Sequence, residues 1–240
     1  DLLIFLQDEN GAVYYMAKHE GKSAINISPT GMDTNLGDFT TGLTFVGMEE
    51  KEIDETYELV SGKRLQERNH ANETTLKFTK DGVQFNIIAR AYDDGVAYRY
   101  QIIGTEGEEL IINSENTGFD VPAKSTVWAQ PYTSPNYERL YDKNTIEGIS
   151  GNYGMSFLYQ TTDDVWVTLA EAAHSPQYCG MMLKADNSTM LKSAWAYTQG
   201  NKKPTTESPF LSPWRAAFIG TQKDMLPWRA KTATTGILAA

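Results

Sequence analysis

Val96-Ala97-Tyr98-Arg99-Tyr100-Gln101-Ile102 puts Val96, Tyr98, Tyr100 and Ile102 on one side of an extended chain, because successive side chains of a strand point to opposite faces. The turn Asp93-Asp94-Gly95 leads into it. Upstream, Val83-Gln84-Phe85-Asn86-Ile87 follows the turn Lys80-Asp81-Gly82, and before that turn Leu76 and Phe78 alternate with Lys77. Alternating runs joined by short turns rich in Asp and Gly describe an antiparallel β meander.

The pattern continues in both directions. Val13-Tyr14-Tyr15-Met16-Ala17 comes after Asp8-Glu9-Asn10-Gly11, whose Asn-Gly pair favours a hairpin. Met155-Ser156-Phe157-Leu158-Tyr159 and residues 165–171 flank the turn Thr161-Thr162-Asp163-Asp164, while Met181-Met182-Leu183 and Ala216-Ala217-Phe218-Ile219 read as later strands. No window carries the apolar stripe of a capped amphipathic helix, so helix content should be low. Strands recurring every ten residues or so predict two stacked sheets: an all-β fold, a large antiparallel β-sandwich with more strands than an immunoglobulin domain. Two long connections are expected, at 124–149 and 201–209.

The chain has 240 residues, enough for one large all-β domain with a sizeable core. Its net charge of −10, from 31 acidic against 21 basic residues, argues against nucleic acid or an anionic membrane as partner, both of which reward clustered Lys and Arg. Neutral sugars, cations and basic proteins stay open. Cys179 is the single cysteine, so neither an intrachain disulfide nor a thiolate zinc cluster can form. There is no apolar run long enough to span a bilayer and no signal-peptide pattern. Asp1-Leu2-Leu3-Ile4-Phe5-Leu6 reads as a strand already under way, as if an upstream segment preceded it.

Motifs for chemistry are scarce. The chain shows no Gly-x-Ser-x-Gly elbow, Walker loop, dinucleotide fingerprint, His-Glu-x-x-His or Asp-rich calcium loop. Three features are candidates. In Glu67-Arg68-Asn69-His70-Ala71-Asn72-Glu73, the residues Asn69, His70 and Glu73 either line a binding site or tie down a loop through side-chain bonds. In 124–149, Trp128, Tyr132 and Tyr137 either stack on a sugar or pack over a sheet edge. Glu171 continues the strand face of Val165, Val167 and Leu169, so a carboxylate joins an apolar row. It is either solvated at a frayed strand end or turned toward a cleft, and in a core it would need a partner or a proton.

Several landmarks occur in order: Asp54-Glu55-Thr56-Tyr57, Arg68-Asn69-His70-Ala71-Asn72-Glu73, Tyr92-Asp93-Asp94-Gly95-Val96-Ala97-Tyr98-Arg99-Tyr100, Leu169-Ala170-Glu171-Ala172 and Ser212-Pro213-Trp214-Arg215-Ala216-Ala217-Phe218-Ile219-Gly220. Together they resemble the N-terminal domain of glycoside hydrolase family 97. The resemblance implies a β-supersandwich of the galactose mutarotase-like kind over 1–224, set before a catalytic (β/α)8 barrel that this chain lacks. It further implies a bacterial, periplasmic or secreted, calcium-dependent α-glucosidase or α-galactosidase, with carbohydrate as substrate and the barrel as the domain's partner.

Glu171 matches the glutamate that such a domain lends to the calcium site, and no catalytic residue is expected in this chain. Without the barrel, Glu171 should be an exposed carboxylate. Two departures stand out: Ala71 where the family usually has Tyr, and an atypical tail at 225–240 with a second Pro-Trp-Arg at Pro227-Trp228-Arg229. The rival reading is a stand-alone carbohydrate-binding module with Trp128, Tyr132 and Tyr137 as its platform.

Overall fold

A computed structural model describes residues 1–60, 65–133, 139–176, 178–196 and 203–225. The meander forms where the alternation places it: Gln66–Lys80, Val83–Tyr92 and Gly95–Ile103 pair antiparallel, with Phe78 opposite Phe85 and Ile87 opposite Tyr100. Asp81 and Gly82 adopt φ of 50° and 84°, the paired positive values of a tight turn whose twist matches that of the strands.

These strands belong to a ten-stranded antiparallel sheet. Its path runs from Asp142–Thr145 through Thr126–Ala129, Phe157–Gln160, Trp166–Ala172 and Trp214–Gly220, then through the meander to the edge strand Thr44–Glu58. Facing it is a seven-stranded sheet of Leu2–Gln7, Val13–His19, Lys22–Pro29, Gly118–Asp120, Met190–Trp195, Met181–Asp186 and Ser150–Tyr153. A four-stranded sheet is built from Thr205–Glu207, Glu109–Glu115, Met32–Thr34 and Gly37–Asp38. Among the described residues, helix is confined to a 3-10 turn, Ile146–Gly148, and one short turn of α-helix, Gln222–Met225; no helix is long and apolar enough to cross a membrane.

The core lies between the two large sheets, as alternation requires. Phe85, Ile87, Tyr98, Tyr100, Val167, Leu169 and Ile219 from one meet Val13, Tyr15, Ala17, Ile25, Phe119, Leu183 and Leu191 from the other. Buried tyrosines bring polar tips into this layer, and most are met: Tyr15 donates to the Gly118 carbonyl at 2.8 Å, and Tyr159 to the Ala24 carbonyl at 2.9 Å. The opposite face of the ten-stranded sheet carries a second buried layer of small and aromatic residues, including Ala97, Ala170, Ala216, Trp214 and Phe218.

Both expected connections are corrected: within 201–209, Thr205–Glu207 is a strand paired with Glu109–Glu115. Residues 124–149 are not one long loop. Val127 and Ala129 turn into the core, so Thr126–Ala129 is a strand and pairs with Asp142–Thr145 on one side and Phe157–Gln160 on the other. The polar run from Gln66 is likewise strand, held in register by the equally polar strand Thr44–Glu58, from Glu55 opposite Asn69 to Lys51 opposite Glu73.

Candidate functional site

Glu171 lies in Trp166–Ala172, with the inward parity of Val167 and Leu169 and directly opposite Arg215 of Trp214–Gly220. It is not the exposed carboxylate expected of it: its side chain is 5 % exposed and that of Arg215 is 0 % exposed. Arg215 Nη1 donates to Glu171 Oε1 at 2.5 Å, while Nε and Nη2 hold both oxygens of Glu115 at 2.7 and 2.6 Å. Such a forked pairing fixes both planes.

Glu115 ends the strand Glu109–Glu115 and is held from its other side by Thr117 Oγ1 at 2.6 Å and Tyr178 Oη at 2.5 Å. The second oxygen of Glu171 accepts the Met181 N–H at 2.6 Å. One cluster therefore ties all three sheets together: Glu171 and Arg215 from the ten-stranded, Glu115 from the four-stranded and Met181 from the seven-stranded. His174 completes it. Ala173, in the left-handed region at φ 56°, reverses the chain and brings His174 Nε2 to 3.3 Å from Glu171 Oε2, with half of the imidazole in solvent.

The electrostatics follow from burial. Desolvation works against ionising Glu115, but the charge and hydrogen bonds of Arg215 outweigh it and hold the carboxyl below its ordinary range. Burial likewise opposes the charge on Arg215, yet Glu115 and Glu171 drive its pKa well up. The hydrogen bond to Glu171 raises His174. Two carboxyl groups thus share one guanidinium, and the imidazole of His174 stands at the oxygen of Glu171 that Arg215 does not hold.

A cleft of about 320 Å³ opens beside the cluster, lined among others by Ser114, Glu115, Lys184, Ser193 and Trp195. Met181 lines this cleft and also a second one of about 220 Å³ that includes Tyr132 and Pro131. Tyr132 is thus brought to the surroundings of Glu171, whereas Tyr137 lies outside the described residues. Trp128 is elsewhere and is not a free stacking platform: its ring stacks on Trp166 at 5.1 Å and 14°, with Lys143 Nζ 5.3 Å from its centre.

Asn69, His70 and Glu73 do not converge on a common site either. Asn69 and Glu73 are buried on one face of their strand and His70 is exposed on the other. Asn69 Nδ2 donates to Glu55 at 2.7 Å, and His70 Nε2 lies 3.0 Å from Glu52. Glu73 accepts Arg90 Nε at 2.6 Å and Lys51 Nζ at 3.0 Å; although burial opposes its charge, these bonds keep its carboxyl low. Arg90 and Arg99 lie over the Trp214 ring, 4.6 and 4.3 Å from its centre.

The local sequence Ser212-Pro213-Trp214-Arg215 is consequently used residue by residue. Ser212 exchanges hydrogen bonds with the Tyr100 backbone, and Trp214 anchors the outer layer under two guanidiniums. Arg215, one residue on and so on the opposite face, enters the ion cluster. The sequence alone gives Arg215 no role and gives no sign of Glu115 or Tyr178. Their neighbourhood depends on strands distant in sequence, and Ser114-Glu115-Asn116 carries no local signal.

A family model described as Glycosyl-hydrolase 97 N-terminal matches residues 2–228. A probable retaining alpha-galactosidase of Streptomyces bingchenggensis is 27 % identical over 218 residues, covering 90 % of this chain and 33 % of that protein. A retaining alpha-galactosidase of Bacteroides thetaiotaomicron is 26 % identical over 134 residues, 55 % of this chain and 19 % of that protein. Among solved structures, a beta-arabinopyranosidase aligns with TM-score 0.82 at 24 % identity, over 91 % of this chain and 38 % of its own. A Glycoside Hydrolase Family 97 enzyme from Pseudoalteromonas sp. strain K8, in complex with acarbose, aligns with TM-score 0.83 at 21 % identity, over 93 % and 35 %. The chain spans about a third of the length of the first of these relatives.

Proposed function

The chain belongs to the Glycosyl-hydrolase 97 N-terminal family, and on that premise we propose that it is the non-catalytic domain of an α-glycosidase acting on α-galactosides. The observation that carries this reading is the match over 2–228 combined with a relative three times as long, whose remaining two thirds have no counterpart here. Galactosides are chosen over glucosides because the two relatives described above are named alpha-galactosidases. The partner of this domain is then a catalytic (β/α)8 barrel of the same protein, and its setting is bacterial, periplasmic or secreted.

Within this reading Glu171 is the carboxylate lent to a shared calcium ion. The chain's own donors do not make a calcium site. Such an ion takes six to eight oxygens, and among the described residues no three His, Cys, Asp or Glu converge to hold a metal. Glu171 fits as one ligand of several: Arg215 occupies Oε1, the Met181 N–H takes one side of Oε2, and the half-exposed His174 stands on the other. A bound calcium would supply a strong local positive charge for orienting substrate hydroxyls. What this chain's residues do is hold one carboxyl group fixed between Arg215 and the Met181 N–H.

The test is expression of the chain alone and joined to the remainder of its protein. Hydrolysis of p-nitrophenyl α-D-galactopyranoside is expected only from the joined form, with the α-glucoside a poorer substrate. Activity in the chain alone would refute the reading. Calorimetry on the chain alone should find calcium binding of about millimolar affinity or weaker, since one carboxylate is a poor ligand set; micromolar binding would contradict it.

A further inference from the structure

We propose that Arg215, locked on Glu115, is the positioning residue that aims Glu171 at its cation. This rests on the reading of Glu171 as a metal ligand and adds residues to which that reading gives no part. The argument begins with the division of the guanidinium. Nε and Nη2 are committed to the two oxygens of Glu115, so Nη1 is the nitrogen that reaches Glu171. Because the forked pair fixes its plane, the position of Glu171 Oε1 is inherited from Glu115.

Glu115 is itself held. Thr117 Oγ1 donates to Oε1, the Tyr178 hydroxyl donates to Oε2, and Thr117 is in turn bonded to Tyr100 Oη, which accepts the Gly31 N–H at 3.1 Å. A continuous series of buried hydrogen bonds thus runs from the middle of the core to Glu171. The carboxylate can rotate neither about Oε1, held by Arg215, nor about Oε2, held by the Met181 N–H.

Charge gives an independent reason. A purely structural ion pair between sheets needs one acid and one base, and Glu115 with Arg215 already satisfies it. Glu171 adds a second carboxylate to a cluster whose three side chains are at most 5 % exposed. A second buried carboxyl group needs partners of its own. The group that faces it from solvent is His174, which an arriving cation would displace. The arrangement is that of a carboxylate held in place, with its outer lone pair kept for a partner, as outer-shell groups hold metal ligands elsewhere.

The test uses the chain joined to its catalytic domain, with calcium affinity read by calorimetry and folding by thermal unfolding. Arg215→Lys keeps the charge and loses the fork; Glu115→Gln keeps the shape and loses the matched pair. Each is expected to weaken calcium binding about 10- to 100-fold, the usual cost of removing an outer-shell partner. Glu171→Gln should lower affinity further, and adding Glu115→Gln to it should cause no additional loss.

If Glu171→Gln leaves calcium affinity unchanged, the ligand reading itself is wrong and the positioning role falls with it. If Glu171→Gln abolishes binding while folded Arg215→Lys and Glu115→Gln bind calcium as the wild type does, only the positioning role is overturned. Tyr178→Phe covers the case in which the buried charge variants do not fold. It deletes one hydrogen bond to Glu115 and no charge, and it should weaken binding several-fold at a melting temperature near that of the wild type; unaltered affinity would overturn the proposal.

Discussion

Replacing Arg215 with Met should be the most damaging single change in the ion cluster. The substitution keeps an apolar stem of similar length but removes the guanidinium shared by Glu115 and Glu171, whose side chains are 4 % and 5 % exposed. Glu115 is then left with the Thr117 and Tyr178 hydroxyls and Glu171 with the Met181 N–H and the half-exposed His174, and breaking a buried pair in this way costs about 3–5 kcal/mol. Glu171→Gln acts differently. Its one amide oxygen can accept from Arg215 or from the Met181 N–H but not from both, so a buried donor is left facing the amide N–H and the expected cost is about 1–3 kcal/mol. Glu115→Gln turns a forked pair into a single bond beside an amide N–H that faces a donor, and should fall between the two. Urea unfolding followed by tryptophan fluorescence resolves these differences, since the total stability of a domain is only about 5–15 kcal/mol. An Arg215→Met variant as stable as Glu171→Gln would refute the reasoning, because it would mean that the cluster carries no net electrostatic cost to be relieved.

Acid should destabilise the domain through Glu73 and Glu115. Both carboxyls are held below the ordinary range when folded, so their contribution is complete above the unfolded pKa of about 4.3 and is lost as pH falls through the folded values. Melting temperature followed downward from neutral pH should drop in that window, and Glu115→Gln should flatten the drop. Trp214→Ala removes a ring that is 1 % exposed and lies under two guanidiniums. It should cost about 3–5 kcal/mol in urea unfolding, the range for a buried aromatic; a cost below 1 kcal/mol would show that the outer layer is not packed as described. The isolated chain should show no binding to starch or galactosides on a glycan array, and Trp128→Ala should change nothing, because that ring already stacks on Trp166; binding lost in Trp128→Ala would restore the carbohydrate-module reading.

The fold was legible wherever one face of a strand meets the core. The meander from Leu76 to Ile102 alternates cleanly because Phe78, Phe85, Ile87, Tyr98 and Tyr100 all point inward between two sheets. Thr44–Glu58 was illegible for the opposite reason: as an edge strand it is exposed at most positions, so its side chains alternate charge with charge and give no apolar period. Residues 124–149 carry a weak strand signal because aromatic rings outweigh the small inward-facing Val127 and Ala129. At the candidate site, periodicity placed Glu171 on the inward face correctly but said nothing of what it meets. The answer comes from Glu115 and Met181, on strands that approach only through tertiary packing, and from Arg215, which is in cross-strand register with Glu171. The same geometry explains why a carboxylate can continue an apolar row: it is buried, and it is paired.

The decisive measurement is α-galactoside hydrolysis as a function of calcium in the chain joined to its catalytic domain, comparing wild type with Glu171→Gln. On the proposed reading the domain reaches the shared ion through this one carboxyl group, and Glu171→Gln keeps its shape. Expected is a variant that melts within a few degrees of wild type, loses about 100-fold or more in activity at calcium levels that saturate the wild type, and loses the calcium-induced rise in melting temperature. Wild-type activity and an unchanged calcium response in Glu171→Gln would contradict the assignment and leave the Glu115–Arg215–Glu171 cluster as a tie between sheets and nothing more.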